Sequence, residues 1–212
     1  MITLEAALSD NPLISILRGL DPAQAIDVAD VLVESGFRVI EVPLNSPDPL
    51  SSISRIADKY GDRVIVGAGT VLTPEEVSTV VSAGGQIIVS PNMDPRIGKR
   101  TLELGAKWCP GVFTPTEAFE ALRLGAAILK FFPSELIPAP AIKAMRAVLP
   151  REALIAMVGG ITPDTMGAYL AAGANGFGLG SALFKPDYDL DEIRDRAIAF
   201  VDAMKALRGQ NI

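Results

Sequence analysis

Short apolar runs alternate along the whole chain with longer stretches in which apolar residues recur at helical spacing. Residues 3–10 read as a short leading helix. Leu13-Ile14-Ser15-Ile16-Leu17 is a buried-strand run that stops at Arg18-Gly19. Asp21-Pro22 then opens a helix, a cap residue followed by proline at the first helical position, and Val31 and Leu32 carry it to Gly36. Strands follow at 37–42, 64–67, 86–89, 107–109, around Lys130, at 154–158 and at 175–179. The helices between them run through Leu50, Ile53 and Ile56, then start at Thr73-Pro74, Asp94-Pro95, Thr114-Pro115, near Ala139 and at Thr162-Pro163, with a last one at about 190–207.

The boundaries carry local signatures. Thr73 with Glu76, and Thr114 with Glu117, have capping-box spacing. Gly36, Gly84, Gly105, Gly125 and Gly173 stand where a helix must stop before a strand. The pattern amounts to eight strand-then-helix units whose strands are apolar on both faces, as a parallel sheet covered by helices requires. No linker divides them, so residues 1–212 are read as one α/β domain, a (β/α)8 TIM barrel with a short N-terminal helix. An open doubly wound sheet is the alternative, but no dinucleotide fingerprint follows the first strand.

A barrel of this kind carries its active site at the C-terminal ends of its strands. Those ends read Arg18, Glu41, Thr70, Pro91-Asn92, Pro110-Gly111, Lys130, Gly159-Gly160 and Gly180-Ser181. Lys130 stands out because Ala126-Ala127-Ile128-Leu129 and Phe131-Phe132 surround it with apolar residues. Burial disfavours a charged amine, and an uncharged one is a nucleophile able to form a Schiff base with a ketone. The plainer possibility is a lysine that snorkels to water from a strand end. Glu41, within an apolar strand, is either a structural ion-pair partner for Lys130 or a general acid/base beside it. Both readings bring the two together.

The glycine pairs after the last two strands suit a phosphate: backbone N–H groups approach its oxygens closely there, and Ser181 adds a hydroxyl. Arg18 suits a carboxylate and Thr70 adds a hydrogen bond, although an arginine at a strand end is commonly a solvated surface charge.

Composition narrows the chemistry further. There is no histidine among the 212 residues, so a general base near neutral pH must be a carboxylate, lysine, tyrosine or the single cysteine. Cys109, beside Trp108, reads as a small core residue. The usual histidine-containing zinc site is excluded, while composition leaves open a magnesium or manganese site held by carboxylates; the expectation for the chain is no metal and no other cofactor. Acids and bases are interspersed at a net charge of -6, with no basic stripe, so nucleic acid is not an expected partner. No apolar run approaches the roughly 20 residues of a membrane helix, and residues 1–10 lack a secretory signal. A cytoplasmic location is expected.

Taken in order, Glu41-Val42-Pro43-Leu44-Asn45-Ser46, Gly67-Ala68-Gly69-Thr70-Val71-Leu72, Ser90-Pro91-Asn92, Cys109-Pro110-Gly111, Leu129-Lys130-Phe131-Phe132-Pro133, Val158-Gly159-Gly160-Ile161 and Gly178-Leu179-Gly180-Ser181 resemble the 2-keto-3-deoxy-6-phosphogluconate and -phosphogalactonate aldolases. The resemblance covers nearly the whole chain. It implies a class I aldolase, usually a homotrimer, that yields pyruvate and glyceraldehyde 3-phosphate from a phosphorylated 2-keto-3-deoxy sugar acid. It implies that Lys130 forms the Schiff base and Glu41 moves protons. Arg18, Thr70, Pro91, Phe132 and Val158 become substrate contacts, and Gly159, Gly160, Gly180 and Ser181 the phosphate loop. Pro43, Asn45 and Val158 resemble the galactonate branch, since the gluconate branch usually carries threonine, arginine and threonine there. A gluconate or dual-specificity aldolase, a phosphosugar isomerase or epimerase using Glu41 as base, a metal-dependent pyruvate aldolase and a non-enzymatic phosphosugar-binding barrel are the alternatives.

Overall fold

In a computed structural model, which describes residues 2–209, the alternation becomes a parallel barrel. Helix α1 spans Leu4–Asp10. The strands are β1 (Leu13–Ile16), β2 (Val39–Pro43), β3 (Ile65–Gly69), β4 (Ile87–Val89), β5 (Lys107–Cys109), β6 (Gly111–Val112), β7 (Leu129–Phe131), β8 (Ile155–Val158) and β9 (Gly176–Leu179). Helices α2 (Ala25–Glu34), α3 (Pro49–Tyr60), α4 (Pro74–Ser82), α5 (Pro95–Glu103), α6 (Pro115–Arg123), α7 (Ala139–Val148), α8 (Pro163–Ala171) and α9 (Leu190–Gly209) alternate with them. Residues 1 and 210–212 of the expected domain lie outside the described residues.

Among the described residues nine strands rather than eight appear, because Pro110 interrupts the fifth. Proline has no N–H to give to a ladder. The two pieces share one position in the ring: β5 pairs with β4, and β6 pairs with β7. The hydrogen-bonded order β5-β4-β3-β2-β1-β9-β8-β7-β6 therefore closes on itself at Pro110, whose carbonyl accepts from Lys130 N at 3.0 Å.

Both expected capping boxes form, at Thr73 with Glu76 and at Thr114 with Glu117, and before α8 Thr165 Oγ1 accepts from Thr162 N at 3.0 Å. Helix α2 starts later than Asp21-Pro22 predicts. The Asp21 carboxylate accepts from Ala23 N at 2.8 Å and its carbonyl from Gln24 N at 3.0 Å, so the signal belongs to a turn that precedes the helix.

Two apolar layers follow from the strand period of two. Outward residues such as Ile40, Val42, Trp108, Leu129, Phe131 and Phe177 pack under the helices. Inward residues Ile14, Val39, Ile65, Ile87, Cys109, Ile128 and Ala156 form a separate cluster with Leu4 and Ala7 of α1. That short helix stoppers the N-terminal end of the barrel. The other end stays open.

Candidate active site

The same alternation that buries Val39 inside the barrel points Glu41 inward, and Ile128 does the same for Lys130. Glu41 is the third of five residues in β2, within its strand as its apolar setting implies, and Lys130 is the middle residue of β7, one short of the strand end. They are inside the barrel, 2% and 7% exposed. Glycines make the space: a Cβ built at Gly69 would stand 1.8 Å from Glu41 Oε2.

Above them opens a cleft of about 680 Å³. Its wall contains Arg18, Glu41, Thr70, Pro91, Lys130, Phe132, Val158, Gly159, Gly160, Gly180 and Ser181, every site residue read from the sequence. Asn92, Pro110 and Gly111, named only as strand ends, are not on that wall. The cleft also takes in Glu135, Thr162 and Lys185, which sequence reasoning missed. Lys185 follows the Ser181 turn and Glu135 the Lys130 strand by only four and five residues, so proximity in sequence was the one available signal.

Glu41 and Lys130 make no ion pair or hydrogen bond with each other, and Glu41 Oε2 is buried without a hydrogen-bond partner. A structural salt bridge is thus not what fills the barrel. Burial pushes the Glu41 carboxyl above its ordinary range, opposed by the charges of Lys130 and Arg18. Burial also pulls the Lys130 amine down, opposed by Glu41. A neutral amine with a protonated carboxyl holds the same number of protons as the ion pair, and low polarity favours that uncharged arrangement. An amine and a carboxyl shifted in these directions are able to serve as a nucleophile and an acid together. The Phe132 ring lies 5.0 Å from Lys130 Nζ.

Cys109 shares the barrel interior with them, and burial raises its thiol far beyond its usual range. It is a protonated core residue, not a thiolate.

The rim is built from unusual backbone. Thr70 has φ +57, a left-handed value that a β-branched residue rarely adopts. Gly159 and Gly160, at φ +105 and +61, turn sharply after β8, with Ser134 Oγ donating to the Gly159 carbonyl. The Glu135 side chain lies against both glycines, where a Cβ at Gly160 would meet its Cγ at 2.3 Å. Arg18, after β1, donates from its guanidinium to Asn45 Oδ1.

A family model described as KDPG and KHG aldolase matches residues 4–196. The chain belongs to this aldolase family. A Rhizobium meliloti (strain 1021) protein named probable 2-dehydro-3-deoxy-6-phosphogalactonate aldolase is 45% identical over 200 residues, covering 94% of each chain. The Escherichia coli (strain K12) 2-dehydro-3-deoxy-6-phosphogalactonate aldolase is 43% identical over 92% of this chain and 95% of its own. A solved structure titled "Native KDPGal structure" superposes with a TM-score of 0.92 at 42% identity, over 93% of this chain and 96% of that one. In this aldolase no group of three or more His, Cys, Asp or Glu side chains among the described residues is placed to hold a metal ion. No described helix is long and apolar enough to cross a membrane.

Proposed function

We propose that this aldolase cleaves 2-dehydro-3-deoxy-6-phosphogalactonate to pyruvate and D-glyceraldehyde 3-phosphate through a Schiff base on Lys130. The observation that carries the chemistry is the buried, unpaired couple of Lys130 and Glu41 at the floor of a cleft ringed by glycine turns. The two relatives of 43% and 45% identity, both named for the galactonate compound, support the substrate.

The steps keep one proton in circulation. The neutral Lys130 amine attacks the C2 ketone, and protonated Glu41 gives its proton to the departing carbinolamine hydroxyl, releasing water. This leaves an iminium and the Glu41 carboxylate. The carboxylate, directly or through water, then takes the C4 hydroxyl proton as the C3–C4 bond breaks. The bonding pair moves toward the iminium nitrogen to give an enamine, and the aldehyde phosphate departs. Glu41 next protonates C3, making the methyl group of pyruvate. Water attacks the iminium, Glu41 recovers a proton, and the amine is released neutral. Low polarity around both groups suits each transfer, since neither starts as a bare charge.

The rim divides between the two ends of the substrate. Arg18 takes the carboxylate, with Thr70 as a further donor. Gly159, Gly160, Gly180 and Ser181 offer backbone N–H groups and a hydroxyl to the phosphate. Pro91, Phe132 and Val158 bound the carbon chain. A cytoplasmic homotrimer is part of the proposal: Leu72 and Phe113, on the loops after β3 and β6, and Phe119, in α6, stand 49%, 45% and 44% exposed. Such apolar exposure suits a subunit contact.

Borohydride reduction in the presence of pyruvate should inactivate the enzyme and leave a reduced pyruvyl group on Lys130, located by mass spectrometry. Sustained turnover with no adduct on Lys130 sinks the Schiff-base assignment. Activity should survive EDTA, whereas a metal-dependent aldolase would lose it.

A further inference from the structure

We infer that Asn45 is a positioning residue that aims the Arg18 guanidinium at the substrate carboxylate while leaving its charge available. The inference rests on the assignment of Arg18 to that carboxylate.

Arg18 has reason to need such help. It is exposed and follows β1 in a turn, so its long side chain has many rotamers to lose on binding. Among the described residues its side chain is held at one place, where NH1 donates to Asn45 Oδ1 at 2.5 Å. The backbone on either side is fixed by the next residue of the same loop. Ser46 Oγ accepts from Gly19 N at 2.9 Å and donates to the Leu17 carbonyl at 3.5 Å. Ser46 is itself buried, and its N–H bonds to the Pro43 carbonyl at 2.9 Å. From the opposite side Pro186 packs on Gly19, where a Cβ would come within 2.7 Å of its Cγ. Gly19 also has φ +84, which keeps the turn tight. Two consecutive residues after β2 thus hold both the main chain and the side chain of the Arg18 turn.

The choice of an amide has a chemical consequence. A guanidinium has five N–H donors. A bond from NH1 to one neutral oxygen leaves the Nε–NH2 edge free for a bidentate carboxylate. A carboxylate at position 45 would accept the same bond but would also neutralise the cation and compete with the substrate for it. Asn45 therefore orients without neutralising, and pre-orientation removes part of the ordering cost of binding.

The test uses full-length Arg18→Ala, Asn45→Ala, Asn45→Asp and the double variant Arg18→Ala/Asn45→Ala. Pyruvate is the probe, its affinity read from the concentration dependence of borohydride trapping. Asn45→Ala should weaken pyruvate binding about tenfold, the scale of one lost hydrogen bond to a charged group. Its trapping rate at saturating pyruvate should stay near that of the parent, because Lys130 and Glu41 are untouched. In the Arg18→Ala background the same change should have no further effect. Asn45→Asp should weaken binding as well, and added salt should recover part of that loss but none of the loss in Asn45→Ala. If Arg18→Ala binds pyruvate as the parent does, the carboxylate assignment falls and this inference with it. If Arg18→Ala is impaired but Asn45→Ala is silent, or adds fully to it, Asn45 does not act through Arg18 and only the positioning role is overturned.

Discussion

The carboxylate of Glu41 occupies the space that a side chain at Gly69 would need. A Cβ there would lie 1.8 Å from Oε2, 2.6 Å from Cδ and 2.9 Å from Oε1. The two residues sit on adjacent strands, and glycine on β3 is what lets the carboxylate lie flat against the barrel wall. Gly69→Ala should therefore displace Glu41 rather than strain its own backbone. Acid/base groups contribute about 100- to 10,000-fold, so kcat should fall by at least about 100-fold. Circular dichroism should show the fold retained. A variant with near-parental kcat would mean that Glu41 has room to move without consequence.

Gly180→Ala makes the complementary case. A Cβ at Gly180 meets nothing within 4 Å, so the unliganded protein should tolerate it with an unchanged melting temperature. The methyl group should obstruct only what approaches the loop from the cleft. In the condensation direction the KM for glyceraldehyde 3-phosphate should rise, while pyruvate trapping stays as it was. Equal losses for both substrates would detach Gly180 from the phosphate end.

The pH behaviour follows from burial. Since burial lowers the Lys130 pKa from its ordinary 10.5 and raises that of Glu41, the rate of pyruvate trapping at low pyruvate should rise with pH as the amine loses its proton and fall again at higher pH as Glu41, the proton donor, loses its own. Stability carries the matching sign. Glu41 has a folded-state pKa above its ordinary 4.5, so the folded state holds the extra proton. Its favourable contribution is complete below that value and is lost as pH rises through the folded pKa. Glu41→Gln should then match the parent in melting temperature at the acid end and gain on it as pH rises. For Lys130 the direction reverses: its folded pKa is depressed, so stability is lost as pH falls through it. Lys130→Met should be inactive, and its advantage in melting temperature should be largest at low pH. Melting curves across pH check both, and a pH-independent difference would contradict the burial argument.

Val158 ends β8 with its Cγ2 only 2.8 Å from where Gly178 would carry a Cβ, and it borders the cleft. Threonine has nearly the same shape with one methyl replaced by a hydroxyl. Val158→Thr should move the ratio of kcat/KM for the galactonate and gluconate substrates toward gluconate by up to about tenfold, the worth of one hydrogen bond. The parent enzyme should prefer the galactonate compound in the same assay. A parental preference for the gluconate compound would overturn the branch assignment and leave the aldolase assignment standing.

Cys109 is buried in the barrel with its thiol held protonated. Iodoacetamide at neutral pH should leave the native enzyme active and unlabelled, and should label the denatured chain once. Rapid native labelling with loss of activity would show that solvent reaches the floor of the barrel beside Lys130.

Much of this protein was determined locally and was therefore legible in the chain. A threonine three residues before a glutamate caps a helix by bonds that both residues carry with them, and Thr73 and Thr114 do so. Apolar runs on both faces call for a covered parallel sheet, and once eight of them make a barrel their distal ends must meet. That is why residues as far apart as Arg18 and Ser181 could be assigned to one cleft. Tertiary structure decided what depends on neighbours across the ring. Strand parity and the glycines opposite, not strand ends, put Glu41 and Lys130 inside the barrel without pairing them. The break at Pro110, the return of Glu135 and Lys185 to the cleft, and the hold of Asn45 on Arg18 all join residues by distance in space, which no periodicity along a single chain encodes.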